Sequence, residues 1–183
     1  MVDQLYRHQN GELACDIPCD ISNHTDSQAI ADFYRFPFFM VPVEKDCKTA
    51  AEHQIMAMLE RHAVDFVVLA RYMQILSRYF VNSYPQKIIN IHHSFLPAFV
   101  GARPYHQAFE RGVKLIGATS HYVTEVLDDG PIIEQDVVRV SHRDTVEDLI
   151  RRGRDLEKVV LSRAVRLHIE SRVLVYGNKT VVF

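Results

Sequence analysis

One stretch restricts what this chain can fold into more than any other: Lys87-Ile88-Ile89-Asn90-Ile91-His92-His93-Ser94-Phe95-Leu96-Pro97, running on through Ala98-Phe99-Val100 to Gly101. Its apolar start has the length and β-branched content of a strand buried on both faces, and Pro97 and Gly101 then force the chain into a loop. Polar residues gather toward the carboxyl end, where packing has no use for them. Strand side chains alternate, so Asn90, His92 and Ser94 share one face while Ile91, His93 and Phe95 share the other. An amide and an imidazole then project into one cleft, at the end of the strands where open α/β sheets bind ligands and where both groups can meet a substrate carbonyl. The plainer alternative, a strand end with satisfied polar groups, accounts for the same residues.

The surrounding pattern supplies the layers for such a strand. Met1 to Leu13 reads as the end of an amphipathic helix closed by Gly11. Cys15 to Ser22 and Phe36 to Val43 read as short strands around a helix from Ser27 to Tyr34, and Pro37 and Pro42 place the second strand near a sheet edge. Lys48 to His62 is a helix with Ala51, Ile55, Met58 and Leu59 on one side, and Asp65 to Tyr72 is a central strand buried on both faces. Ser77 caps a helix from Arg78 to Ser83, and Pro104 suits the first turn of a helix from Arg103 to Gly112. Lys114 to Val123 and Pro131 to Val140 are extended, are joined by an acidic turn, and can pair antiparallel at the sheet edge. A long helix starts at Asp144 or Thr145 and continues to Ser171, and a hairpin around Gly177-Asn178 closes the chain. The expected fold is therefore a single α/β domain over residues 1–183: a mostly parallel, Rossmann-like sheet with helices on both faces, an antiparallel edge and a C-terminal hairpin.

Charge and cysteine content narrow the function classes. A formal charge of −2 and a pI near 6.5 provide no broad basic field for nucleic acid, and the arginines between Arg143 and Arg166 read as a solvated helix face. Three cysteines, Cys15, Cys19 and Cys47, without a CxxC pair, suit a reducing cytoplasm and read as small, partly buried apolar residues. No apolar run approaches a membrane span, and the first residues lack a signal-peptide pattern. Histidines His92, His93, His106 and His121 invite a zinc site, but His92 and His93 face opposite sides of a strand and no Cys or Glu completes a ligand set, so no metal is expected. Ser94 lacks the Gly-x-Ser-x-Gly elbow of a hydrolase nucleophile and is read as satisfying loop backbone groups.

Three motifs in one order carry a resemblance: Ala70-Arg71-Tyr72-Met73-Gln74-Ile75-Leu76-Ser77, Asn90-Ile91-His92-His93-Ser94-Phe95-Leu96-Pro97, and His121 through Asp128-Asp129-Gly130-Pro131 to Ile133. Together they resemble the formyltetrahydrofolate-utilising hydrolases and transferases. The His92-His93 pair, the Gly101 to Ala108 stretch and the ending Val175 to Thr180 are most similar to the formyltetrahydrofolate deformylase branch, since the transferases usually carry proline where His93 stands. The resemblance implies that the chain corresponds to the catalytic domain without the N-terminal ACT domain and the first strand of that family. It implies in turn that strands beside the absent one have unpaired edges.

The implied chemistry is hydrolysis of 10-formyltetrahydrofolate to formate and tetrahydrofolate, within one-carbon and purine metabolism. By the resemblance, Asn90 donates to the tetrahedral oxyanion, His92 stabilises it or shuttles a proton, and Asp128 orients the water and His92. The motif register, and not residue type, selects Asp128 over its neighbour Asp129. Met73, Gln74, Ile75 and Leu76 with Val126, Leu127 and Asp129 would form the pterin pocket, although its apolar members serve equally as core. Gln74 stands where the transferases often have arginine. The expected partner is the small-molecule folate alone, without nucleic acid, membrane or separate cofactor, and the chain is expected to be a cytoplasmic homo-oligomer. Two alternatives remain open: formyl transfer to an amine, and an inactive relative that only binds folate or oligomerises.

Overall fold

In a computed structural model, residues 1–43, 47–98 and 103–183 are described; Phe99, Val100, Gly101 and Ala102, at the end of the opening stretch, lie outside them. The strand at the centre of the sequence argument is β4, Ile88–His92, and its number follows three shorter strands: β1 Asp20–Ser22, β2 Phe38–Met40 and β3 Val67–Leu69. β1 pairs parallel with β2, and β3 pairs parallel with β4. On the other side of β4 the sheet turns antiparallel, through β5 Leu115–Tyr122 and then β6 Ile132–Arg139. A separate hairpin of β7 Val173–Tyr176 and β8 Lys179–Val182 turns at Gly177, whose positive φ the tight turn requires. The result is a mixed sheet with a parallel core, an antiparallel edge and a C-terminal hairpin.

The helices are α1 Val2–Gln9, α2 Gln28–Tyr34, α3 Lys48–Arg61, α4 Arg78–Ser83, α5 Pro104–Arg111 and α6 Val146–Ile169. Their ends follow local chemistry. The hydroxyl of Ser77 accepts from the Phe80 N–H at the start of α4, and Thr145 forms a reciprocal capping box with Asp148 at the start of α6. Gly112 ends α5 in the left-handed conformation.

Alternation along β4 sorts its side chains between two cores. Ile89 and Ile91 pack with Ala118, Tyr122 and Ile133 against Val160, Leu161, Ala164 and Val165 of α6. Ile88 packs on the opposite side with Val41, Phe80 and the Ala51, Ile55 and Leu59 stripe of α3. Each isoleucine is fully or nearly fully buried, and burial on that scale stabilises by roughly 1.5–3 kcal/mol per side chain. Asn90 and His92 share the parity of Ile88, which directs them away from α6.

Three expectations need correction. Cys15 to Ser22 forms a strand only over Asp20–Ser22. The stretch Asp65 to Tyr72 narrows to Val67–Leu69, and its residues are half-buried instead of enclosed on both faces. Among the described residues β1 pairs only with β2 and β3 only with β4, and an open cavity of about 1460 Å³ is lined by both β1 and β3. Cys47 is exposed, unlike Cys15 and Cys19.

Candidate active site

The strand β4 delivers Asn90 and His92 to the end of the sheet, and the loop after β5 brings back a carboxylate. Asp128 sits in that loop at φ 56°, a conformation uncommon for a residue with a side chain and a recurrent one at functional sites. Its Oδ1 lies 3.2 Å from Nδ1 of His92. Gly130 makes this approach possible, because a Cβ there would stand 1.7 Å from the carbonyl oxygen of Tyr122. The neighbouring Asp129 is exposed and makes no such contact.

Hydrogen bonding fixes the tautomers. His121 Nδ1 is 2.9 Å from the Tyr122 carbonyl, which can only accept, so Nδ1 carries the proton and the other ring nitrogen is left with a lone pair. That nitrogen, Nε2, accepts from the Asn90 side-chain amide at 3.3 Å. The contact orients the Asn90 amide nitrogen and leaves its second N–H for another acceptor. The same Nε2 lies 3.8 Å from Oδ1 of Asp128, so Asn90, His92, His121 and Asp128 form one connected group. His92 Nδ1 lies in hydrogen-bonding reach of Asp128, while its Nε2 is buried and has no hydrogen-bond partner among the described residues.

Burial sets the charge states. It pulls His92 below the ordinary histidine range, with Asp128 opposing and with His93 and His121 reinforcing the shift. Burial also lowers His121, against its bond to the Tyr122 carbonyl and the charge of Asp128. Both rings are thus neutral near pH 7. A neutral His92 whose Nδ1–H is held by a carboxylate presents a basic lone pair at Nε2, and beside it stands an amide able to donate to an oxygen that gains charge.

Of the seven residues expected as pocket walls, Val126, Leu127 and Asp129 share the loop of Asp128, and Met73, Gln74, Ile75 and Leu76 follow β3, the strand paired with β4. Met73, Ile75, Val126 and Leu127 are 77, 59, 61 and 59 % exposed, an unusual state for large apolar side chains and one that suits an open rim for a flat ring. Gln74 and Asp129 are exposed as well, whereas Leu76 packs partly into the α3 core. The large cavity beside β3 touches Tyr72, Met73, Leu76 and His93 but not Asn90, His92 or Asp128, so it adjoins the reactive group without containing it.

His121 entered the sequence reading only as one of four histidines of a discarded zinc site and as the first residue of the third motif, seven positions before Asp128; its contact with Asn90 was not foreseen. Ser94 donates its hydroxyl to the Ala98 carbonyl, and Thr119 ties down the same loop by donating to the Ser94 carbonyl and accepting from the Leu96 N–H. Among the described residues no cluster of His, Cys, Asp or Glu is arranged to hold a metal ion. His92 and His93 turn to different carboxylates, Asp128 and Glu157.

Comparison with known proteins adds an independent line. Residues 3–165 match the family model described as formyl transferase. Over 183 residues the chain is 61% identical to the formyltetrahydrofolate deformylase of a Synechocystis species, covering 100% of this chain and 64% of that protein. The Bacillus subtilis protein of the same name is 53% identical over 179 residues, covering 98% of this chain and 60% of the relative. The chain therefore spans about three fifths of the length of these relatives. Among solved structures, a formyltetrahydrofolate deformylase from Pseudomonas syringae superposes with a TM-score of 0.97 at 58% identity, covering 99% of this chain and 61% of that one. A glycinamide ribonucleotide transformylase from Symbiobacterium toebii gives 0.93 at 33% identity, covering 100% and 87%.

Proposed function

The chain belongs to the formyl transferase family, and from that premise we propose that it hydrolyses 10-formyltetrahydrofolate to formate and tetrahydrofolate. The observation that carries this reading is His92, buried and neutral, with Nδ1 held by Asp128 and an unpartnered Nε2. Relatives named for deformylation support the choice of water as acceptor.

In this mechanism the His92 Nε2 takes a proton from water as the water oxygen bonds to the formyl carbon. The carbonyl electron pair moves to oxygen, and the free N–H of Asn90 donates to the resulting oxyanion. Asp128 stabilises the imidazolium that His92 has become, as a carboxylate does for a histidine base in other hydrolases. When the tetrahedral species collapses, the C–N bond breaks and His92 returns its proton to the departing folate nitrogen. Water and the formamide yield formic acid, which ionises, and the free amine. His121 keeps the Asn90 amide in its donating orientation.

Met73, Ile75, Val126 and Leu127 would wall the pterin ring, with Gln74, Leu76 and Asp129 around them. No cofactor or metal is needed for these steps. The proposal extends to a cytoplasmic location, which fits three cysteines without a disulfide among them, and to a homo-oligomer, which fits the exposed Leu174, Tyr176 and Phe183 at the C-terminal hairpin. No described helix is long and apolar enough to cross a membrane.

Incubating the protein with 10-formyltetrahydrofolate and no amine acceptor tests the reaction class. Formate and tetrahydrofolate should appear in equal amounts. Deformylation that begins only when an amine is added, with the formyl group recovered on that amine, would assign the site to a transferase instead.

A further inference from the structure

Beneath the exposed rim that follows β3 lies a buried acid that the reaction above does not use. Glu52 sits in the second turn of α3, beside the Ala51, Ile55 and Leu59 stripe, and is buried with it. Its Oε1 accepts from the Ser77 N–H at 3.0 Å, while Lys48, one turn earlier on the same helix, comes only within 3.9 Å of that oxygen. Ser77 is held at its other polar groups too: its Oγ accepts from the Phe80 N–H at 3.2 Å and its carbonyl from the Val81 N–H at 3.0 Å. Leu76 and Phe80 pack into the same core as the α3 stripe, so the link from Glu52 to Ser77 runs along apolar side chains.

The rim has no such ties of its own. Among the described residues, residues 73–76 make no backbone hydrogen bond, and Met73 and Ile75 are exposed. Their path is set at its ends, by Arg71 at φ 59° just after β3 and by Ser77 at the start of α4. The facing wall is joined to the same helix. Glu125, in the loop that carries Asp128, accepts from the Asn82 side chain at 3.0 Å and lies 2.8 Å from Nε of Arg78. Arg78 is 82 % exposed there, and an ion pair so open to water holds little. The bond from Ser77 to the buried Glu52 is the firmer of the two anchors.

Resting on the reading of Met73, Ile75, Val126 and Leu127 as walls for the pterin ring, we propose that Glu52 is a positioning residue for folate binding: through Ser77 it fixes the rim of residues 73–76 at the height and spacing at which the ring enters. A carboxyl group on the core face of a helix is costly to bury unless a hydrogen bond accompanies it. The hydrogen bond that Glu52 accepts comes from the far end of the rim and not from its own helix. A segment without internal hydrogen bonds loses conformational freedom when a ligand orders it. Anchoring Ser77 in advance removes part of that cost, so the benefit falls on substrate affinity and not on the chemical step. Asn90 and His92 on β4, and Asp128 after β5, lie outside the polar contacts that Glu52 makes.

The test measures the KM for 10-formyltetrahydrofolate and the Kd for tetrahydrofolate, the second of which needs no turnover. Glu52→Met removes the acceptor at similar volume and should raise both about tenfold, the scale of one donor left unpaired. Its kcat should stay within about twofold of wild type, the pattern of lost uniform binding. Glu52→Gln keeps a side-chain carbonyl that can accept from Ser77 and should recover most of the affinity. A residue serving stability alone would move the denaturant midpoint and leave KM where it was. Amide hydrogen exchange covers the case in which Glu52→Met does not fold: in the wild-type protein the Ser77 N–H should exchange slowly and the amides of residues 73–76 fast. The proposal is overturned by unchanged KM and Kd in folded Glu52→Met, by a Glu52→Gln protein as impaired as Glu52→Met, or by a Ser77 amide that exchanges as fast as those before it. The pocket reading fails separately, if Met73→Ala and Ile75→Ala leave the Kd for tetrahydrofolate unchanged while the Ser77 amide stays protected.

Discussion

His92 joins two conditions that oppose each other elsewhere in the molecule: enough burial to keep its ring neutral, and a carboxylate close enough to stabilise the ring once it is charged. Replacing Asn90, His92 or Asp128 singly should lower turnover by at least about a hundredfold, the scale for losing an oxyanion donor or an acid–base group. Tetrahydrofolate binding should suffer less, and double replacements should add little to single ones if, as proposed, the groups act on one intermediate. Steady-state kinetics of the variants checks all three statements. The pH dependence has a definite sign. In the proposed reaction His92 is the neutral base, and it sits below the usual histidine value near 6.5, so the acid limb of the kcat/KM profile should fall below pH 6.5, where an unperturbed histidine would already have lost half its base form. At this scale the sequence marked Asn90, His92 and Asp128 through a motif. It did not mark the contact of His121 with Asn90, which depends on the tautomer that the Tyr122 carbonyl selects.

The loop from Thr124 to Pro131 is the element on which the site turns, since it alone brings Asp128 to β4. Gly130 lets it pass against the Tyr122 carbonyl, and Gly130→Ala must displace backbone because nothing flexible lies in the way. That variant should lose about 2 kcal/mol of stability, within the usual range for overpacking, and most of its turnover, measured by denaturant midpoint and initial rate. Turnover equal to wild type would mean that Asp128 need not sit where it does. Helix ends were legible because their signals are local: Ser77, Thr145 and Gly112 each act within one turn of themselves. Strand lengths were not, because pairing depends on distant residues. Cys15 to Cys19 reads as a strand in isolation and finds no ladder, while β3 is shortened and only half-buried because just one of its edges is paired among the described residues.

At the scale of the molecule, among the described residues, the sheet is divided between β1–β2 and β3–β6, with the cavity of about 1460 Å³ touching both β1 and β3 and Met1. Unpaired edges of this kind favour association and cost stability, so fusing a strand-forming segment ahead of Met1 should raise the melting temperature, reduce aggregation and improve turnover. Equal behaviour of the two proteins would show that the gap is neutral. Stability should also depend on acid in one direction. Burial holds His92, His121 and His168 below their ordinary value, so the folded state binds fewer protons than the unfolded chain. The stability these rings contribute is present above about pH 6.5 and is lost as the pH falls through their lower folded values, so the melting temperature should drop between pH 7 and 5. The most direct test of the whole account compares two adjacent carboxylates in one assay of formate release. Asp128→Asn should lose about a hundredfold or more in turnover, on the scale of an acid–base group, while Asp129→Asn, exposed and without contact to His92, should stay close to wild type. A damaging Asp129→Asn beside a nearly silent Asp128→Asn would contradict the pairing of Asp128 with His92 as the centre of the reaction.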